Sequence, residues 1–327
     1  MPTRTPLYVP VAEEQLRAAA ASVFGAQVEL LRAAPTDGGL FNTSYVLETR
    51  APARKSVLRI APANLDVLVD FEKTMLAAEP RIYAWMRAAG APIPEVLHVD
   101  TSGAVIPRAW IVLEHIDGVP MNDPSVPADA KPALRRELGA YTRRIHSVGA
   151  ACFGWPLADG SIRGSPRWDE MLRLFFAETI QRSGACAAYP PEKLERIAAL
   201  FDEQAGIFAA ITQPRLVHND LWEPNVLVRP EDGAWKIAAL IDGDRAMFAD
   251  PEFEFVLWEG DPDVLAGYAQ PLDPSPAARL RRCWYMLCLA LMNLYVYTAE
   301  YHDPDGAART AAWADGLLAQ IEAGSGA

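Results

Sequence analysis

The sequence predicts an α+β protein of two lobes: first an antiparallel sheet with one helix, then a mostly helical lobe. Three observations predict it. The first third alternates Val-, Leu- and Tyr-rich segments with turn compositions, the pattern changes to helical apolar recurrence after Gly118, and 327 residues exceed the size at which a single core usually stops growing. The expected division assigns residues 1–115 to the first lobe and 116–327 to the second.

In the first lobe, strands are expected at 27–32, 40–49 and 55–60, separated by Pro35-Thr36-Asp37-Gly38-Gly39 and Ala51-Pro52-Ala53-Arg54. Apolar residues at Val69, Met75, Leu76, Ile82 and Met86 predict a helix over 66–89, with Pro80 as a point of interruption and Gly90, Pro92 and Pro94 as its stop. Strands at 95–99 and 109–115 follow. The second ends in Ile116-Asp117-Gly118, a turn suited to connecting two lobes. Helices are then expected at 131–147, 167–182, 191–211, 277–301 and 307–323, with one β island between them, 225–228 and 235–241.

Charge narrows the range of partners. With 42 acidic and 30 basic side chains, the formal charge of -12 argues against nucleic acid and anionic membranes and favours small cationic partners, although such a surface also serves solubility alone. Four cysteines, at 152, 186, 283 and 288, form neither a paired framework nor a metal-binding spacing, and are expected as reduced, buried thiols of a cytoplasmic protein. No signal-peptide pattern opens the sequence. The apolar stretch 283–299 is shorter than the ~20 residues a membrane span needs and carries Asn293, so a buried core helix is expected and no membrane association.

The chemistry concentrates in His218-Asn219-Asp220-Leu221-Trp222-Glu223-Pro224-Asn225 and Ile241-Asp242-Gly243-Asp244. His218-x-Asp220 with Asn225 five positions on has the spacing of a protein-kinase catalytic loop, in which the Asp orients an acceptor hydroxyl and the Asn oxygen binds Mg²⁺. The apolar strand, turn and strand after Asn225 would bring Asp242 to the same metal as a second oxygen ligand, and Mg²⁺ prefers such hard donors supplied singly. Phosphoryl transfer needs little more than this, because its barrier falls mainly through alignment and charge neutralisation.

With these motifs the chain resembles the aminoglycoside phosphotransferase and choline kinase family from about residue 33 to 260, most specifically over 216–256. The resemblance implies a two-lobed protein-kinase-like fold, ATP and Mg²⁺ as cofactors, Asp220 as the catalytic aspartate, Asn225 and Asp242 as metal ligands, and His218 as a brace of the loop. Asp250, in Asp250-Pro251, is implied to help hold the catalytic loop, and Glu254 matches a later acidic position. Gly38-Gly39-Leu40-Phe41-Asn42 resembles a nucleotide-positioning loop, with Gly39 and Asn42 near the phosphates. Arg59 stands where the family usually has a phosphate-binding Lys, and Glu79 matches its helix partner. An Arg fork reaches differently from an ammonium, so the grip on phosphate is expected to differ. Glu114 and Ile116 match the backbone groups that meet adenine, and Gly243 replaces a frequent aromatic residue.

The expected reaction is transfer of the γ-phosphate to a hydroxyl of a small, cationic acceptor such as an aminoglycoside, another antibiotic or an amino sugar. Asp261, Asp263, Glu300, Asp303 and Asp305 are candidates to line its cleft, and His146 is expected to be structural. The alternatives are a nucleotide-binding protein without transfer activity and a kinase for a metabolite such as choline or homoserine. The oligomeric state is left open.

Overall fold

The computed structural model describes residues 5–36, 40–258 and 260–324. Its first sheet runs in the order β1-β2-β3-β5-β4, built from β1 (Glu29–Pro35), β2 (Thr43–Arg50), β3 (Arg54–Ile60), β4 (Val96–Asp100) and β5 (Trp110–Glu114), with every pairing antiparallel. The period-2 alternation of β3 assigns its two faces. Leu58 and Ile60 pack with Tyr45, Leu47, Trp110 and Val112 into a core closed by α1 (Glu13–Phe24), which buries Leu16, Ala19 and Ala20. Val57 and Arg59 point to the opposite face, toward the interlobe cleft.

Helix α2 (Glu72–Ala88) passes through Pro80 without a break, contrary to the interruption expected there. Its buried positions, among them Met75, Leu76, Glu79, Ile82, Tyr83 and Met86, carry both apolar packing and functional polarity. After β5 the chain crosses through β6 (Val119–Pro120), which pairs with the hairpin β10 (Val226–Glu231) and β11 (Ala234–Leu240). A further sheet, in the order β8-β7-β12-β9, joins β7 (Phe153–Pro156), β8 (Ile162–Ser165), β9 (Arg215–Val217) and β12 (Met247–Ala249). Neither α1 nor the β7–β8 hairpin was expected from the sequence. The hairpin depends on glycine at its crossing, where a Cβ on Gly164 would lie 1.8 Å from the Phe153 carbonyl oxygen.

The helical part comprises α3 (Lys131–Ile145), α4 (Trp168–Ala185), α5 (Pro191–Gln204), α6 (Pro262–Tyr268), α7 (Pro276–Tyr295) and α8 (Pro304–Gly324). Helix α7 is the expected core helix: Trp284, Tyr285, Leu287, Cys288, Leu291 and Leu294 are buried, and a π-helical turn, Val296–Glu300, continues it. No helix among the described residues is long and apolar enough to cross a membrane. None of the four cysteines forms a disulfide, but only Cys288 is buried; Cys152, Cys186 and Cys283 are half-buried, against the expectation.

Candidate active site

Three segments converge on the cleft between the first sheet and the helices. The loop after β9 carries His218, Asp220 and Asn225; the turn after β11 carries Asp242 and Asp244; β3 and α2 bring Arg59 and Glu79. The Ile241 amide donates to the Asn225 carbonyl at 3.0 Å, so the β10–β11 hairpin joins the two loops where it starts and ends. The Asn219 amide side chain donates to the Arg245 carbonyl at 3.2 Å and ties them a second time. Asn219 and Asp242 both adopt left-handed backbone, φ 64° and 57°, a conformation Asn and Asp tolerate better than most residues.

Asp220 accepts from the Asn225 side-chain amide at 2.9 Å, and the same nitrogen donates to the Asp220 carbonyl at 2.8 Å. Burial pushes the Asp220 carboxyl up to about 7, and the charges of Asp242 and Asp244 push the same way; Arg245 and the Asn225 hydrogen bond oppose them. His218 is fully buried and held neutral by desolvation. It contributes through its backbone. The His218 and Asn219 amides donate to the Glu254 carboxylate at 2.5 and 3.0 Å, and buried His146 links Glu254, at 3.4 Å, to the Tyr268 hydroxyl, at 2.9 Å. Glu254, not Asp250, therefore holds the loop directly. Asp250 instead caps the following 3₁₀ turn through the Glu252 amide and accepts from the Tyr285 hydroxyl at 2.7 Å. From the outer side, Glu223 pairs with Lys131 and Arg135, each at 2.9 Å.

Arg59 is buried and faces three carboxylates: Glu79, Asp242 at 2.6 Å and Asp244 at 2.8 Å. The Asn42 side-chain amide donates to Asp244 at 3.3 Å. Burial pushes Glu79 up to about 7 even with the guanidinium beside it. One guanidinium against three carboxylates, of which burial pushes Glu79 toward its neutral form, leaves negative charge at the surface Asp242 presents to the cleft, which favours a further cation there. Among the described residues no cluster of three His, Cys, Asp or Glu could cage a metal alone. The Asp242 and Asn225 oxygens suit Mg²⁺ that completes its shell with phosphate and water.

Toward the linker, Val46, Val57, Leu113, Leu227 and Ile241 line an apolar slot beside Glu114 and Ile116. The Glu114 amide is engaged by the Glu95 carbonyl at 2.8 Å. The whole cleft measures about 770 Å³. Gly39 lies outside the described residues. Asn42, Arg59, Glu114, Ile116, Asp220, Asn225 and Asp242 line the cleft; His218 and Glu79 are buried outside its lining, Glu79 paired with Arg59, and none of Asp261, Asp263, Glu300, Asp303 and Asp305, expected in an acceptor cleft, lines it.

Gly243 is explained by its neighbour. A Cβ there would sit 2.9 Å from the Tyr83 ring, so α2 supplies the aromatic bulk where position 243 has none. Gly243→Phe is expected to destabilise the protein by about 1–3 kcal/mol through overpacking, and Tyr83→Ala in the same chain to recover most of that loss; urea unfolding of both variants checks it.

The sequence pattern of the phosphotransferase enzyme family matches residues 32–282. The chain belongs to this family. Membership makes it a phosphotransferase, and solved structures of the family share its fold. A thermostable mutant of aminoglycoside phosphotransferase APH(4)-Ia is 22% identical, with a TM-score of 0.68 over 97% of this chain and 100% of that one. The GDP and kanamycin complex of APH(2")-IIia is 14% identical, with a TM-score of 0.63 over 94% and 98%. Macrolide 2'-phosphotransferase MphH from Brachybacterium faecium is 20% identical, with a TM-score of 0.59 over 91% and 97%. A search of curated proteins finds no match.

Arg245, Glu72 and Glu300 were not singled out as a unit from the sequence. Arg245 lines the cleft and donates to Glu72 at 2.9 Å. Glu300, buried beside Glu72, keeps its proton, its carboxyl pushed up to about 10 by desolvation and the adjacent carboxylate. Local sequence carries no signal for this, since 173 positions separate Arg245 from Glu72.

Proposed function

We propose that the chain is an ATP- and Mg²⁺-dependent O-phosphotransferase acting on a hydroxyl of a small, amino-bearing molecule. The observation that carries this reading is the convergence of Asp220, Asn225 and Asp242 beside Arg59 in one cleft. A division near residue 115 separates a nucleotide-holding lobe from an acceptor lobe.

Adenine would enter the apolar slot and meet the backbone at Glu114 and Ile116, and Arg59, backed by Glu79, would turn its guanidinium to the phosphates. Asn42 and the loop before it would lie along the triphosphate. Asn225 and Asp242 would hold Mg²⁺, which supplies neutralisation of phosphate charge. Asp220 receives the proton of the acceptor hydroxyl as its oxygen bonds to the γ-phosphorus; the bond from that phosphorus to the bridging oxygen breaks, and ADP leaves. A carboxyl poised near neutrality suits this exchange. Solved neighbours bind AMP-PNP with hygromycin B, and gentamicin, at 22% and 14% identity, which supports a nucleotide and an amino-bearing alcohol as ligands here.

One observation favours a second reading, a nucleotide binder without transfer: Arg59 holds Asp242 at 2.6 Å, the group the metal needs. Incubation with Mg-ATP and a panel of hydroxyl acceptors separates the two. ADP formation that needs both acceptor and Asp220, and that chelation of Mg²⁺ abolishes, is expected. Stabilisation by ATP that is indifferent to metal, with no turnover on any acceptor, would instead establish the binder.

A further inference from the structure

Beyond Asp220 the cleft continues over the helical part, and its wall there is apolar. Phe71, Trp155 and Phe175 form an aromatic cluster, with Phe71 and Trp155 stacked at 4.6 Å and 8° and Trp155 to Phe175 at 5.3 Å. Val256, Met292 and Tyr297 extend the same surface from the turn after Asp250 and the end of α7. At the rim, Trp222 and Leu257 line the cleft yet remain 48% and 42% exposed. Large apolar side chains left in water around a concave site are characteristic of a surface that a ligand covers.

The charges at this end do not suit a polycation. Arg245 lies over the Phe41 and Phe71 rings at 5.7 and 5.9 Å, lines the cleft and acts electrostatically on Asp220. Its partner is Glu72, while Glu300 stays protonated. None of the acids expected to line an acceptor cleft does so: Asp261 bonds Arg135 at 3.1 Å, Asp263 pairs with Arg136, Asp303 accepts from the Gly306 amide at 2.9 Å, and Glu300 and Asp305 lie outside the lining. Among the described residues, the carboxylates that line the cleft are Glu114 by the linker, Asp220, Asp242, Asp244 and Glu254. Arg59 holds Asp242 and Asp244, and the loop amides hold Glu254, so Asp220 remains for the acceptor.

We propose that the acceptor is an amphipathic alcohol: a broad apolar face covers the apolar wall and its exposed rim, a hydroxyl reaches Asp220, and it carries at most one positive charge. This rests on the reading of Asp220 as the group that meets the acceptor hydroxyl. A molecule with several ammonium groups would bring them against Arg245 and an apolar wall with no matching carboxylates, at the cost of desolvating unpaired charge. A single amine could stay at the open mouth.

Calorimetric titration of the full chain, saturated with Mg-ADP, tests this with two probes. Erythromycin has a broad apolar face, hydroxyls and one amine; kanamycin is a polycation. Erythromycin is expected to bind at least about tenfold more tightly than kanamycin, with a negative heat-capacity change from apolar burial. Leu257→Glu, at an exposed rim position, is expected to leave the melting temperature unchanged and weaken erythromycin about five- to tenfold. Kanamycin binding as tightly as erythromycin, or no erythromycin binding at millimolar concentration, would overturn the inference. Since binding is read apart from turnover, the two readings fail separately. Tight kanamycin binding with Asp220-dependent ADP formation leaves the transfer reading intact and removes this one. Erythromycin binding weakened by Leu257→Glu, without phosphate transfer, does the reverse.

Discussion

Asp220→Asn is expected to lower turnover by about 10²–10⁴-fold while making the folded protein more stable above neutral pH. The first effect follows from the proposed role of Asp220 as the group that takes the acceptor's proton. The second follows from burial, which pushes the carboxyl up to about 7, above its value of about 3.9 in the unfolded chain. Between those values the folded state binds more protons than the unfolded one, so this group's contribution to stability declines as pH rises through that window. Asparagine has no such titration. Its stabilising effect should be near zero at pH 4 and largest at pH 8, and thermal melts at the two values check it. In the wild type, kcat/KM should fall below about pH 7 with unit slope, because the reactive form is the carboxylate.

Removing the Arg59 guanidinium should have the largest effect on stability. Arg59→Met leaves Glu79, Asp242 and Asp244 facing one another without their shared cation, which is expected to cost about 3–5 kcal/mol in urea unfolding. The loss should be greater at pH 8 than at pH 6. With the guanidinium present Glu79 already titrates at about 7, and without it the carboxyl retains its proton to still higher pH, so raising the pH forces an ionisation the folded state resists. Arg59→Lys keeps the charge but not the fork. It should lose about 1–2 kcal/mol and ease the hold on Asp242, which titration with Mg-ATP would register as tighter metal-dependent binding.

The loop from His218 to Asn225 and its following hairpin were legible in the sequence because their residues are contiguous and the spacing of His218, Asp220, Asn225 and Asp242 is a compact local pattern. The strand meander was legible for a similar reason, since β2 and β3 alternate faces over short connections. Features that depend on residues meeting from distant positions were not. Gly243 reads as a departure from a family pattern until Tyr83 is found filling the same space. The acids after residue 260 read as lining a cleft for a cationic acceptor, but composition does not reveal which way a carboxylate faces, and Arg135 and Arg136 on α3 take two of them. The implied role of Asp250 passed to Glu254, four positions on, because the 3₁₀ turn between them presents Glu254 to the loop amides and Asp250 to Tyr285. Helix α1 escaped notice because its apolar stripe is mostly alanine, with only Leu16, Ala19 and Ala20 buried.

The Glu254 carboxylate has a consequence for how the enzyme would work through a cycle. Two consecutive amides of the reactive loop are anchored to an anion rooted in the helical core, and Glu223 and Asn225 fix the same loop further along. A base at Asp220 would thus be held in position before any substrate arrives, with little left to rearrange on the helical side. Under the proposed function, adjustment would fall to the sheet side, where Arg59 would have to trade two carboxylates for phosphate oxygens as the nucleotide enters. One partner in the reaction is built stiff and the other is charged to move, so a single side chain of β3 would set the rate at which the empty cleft becomes a loaded one.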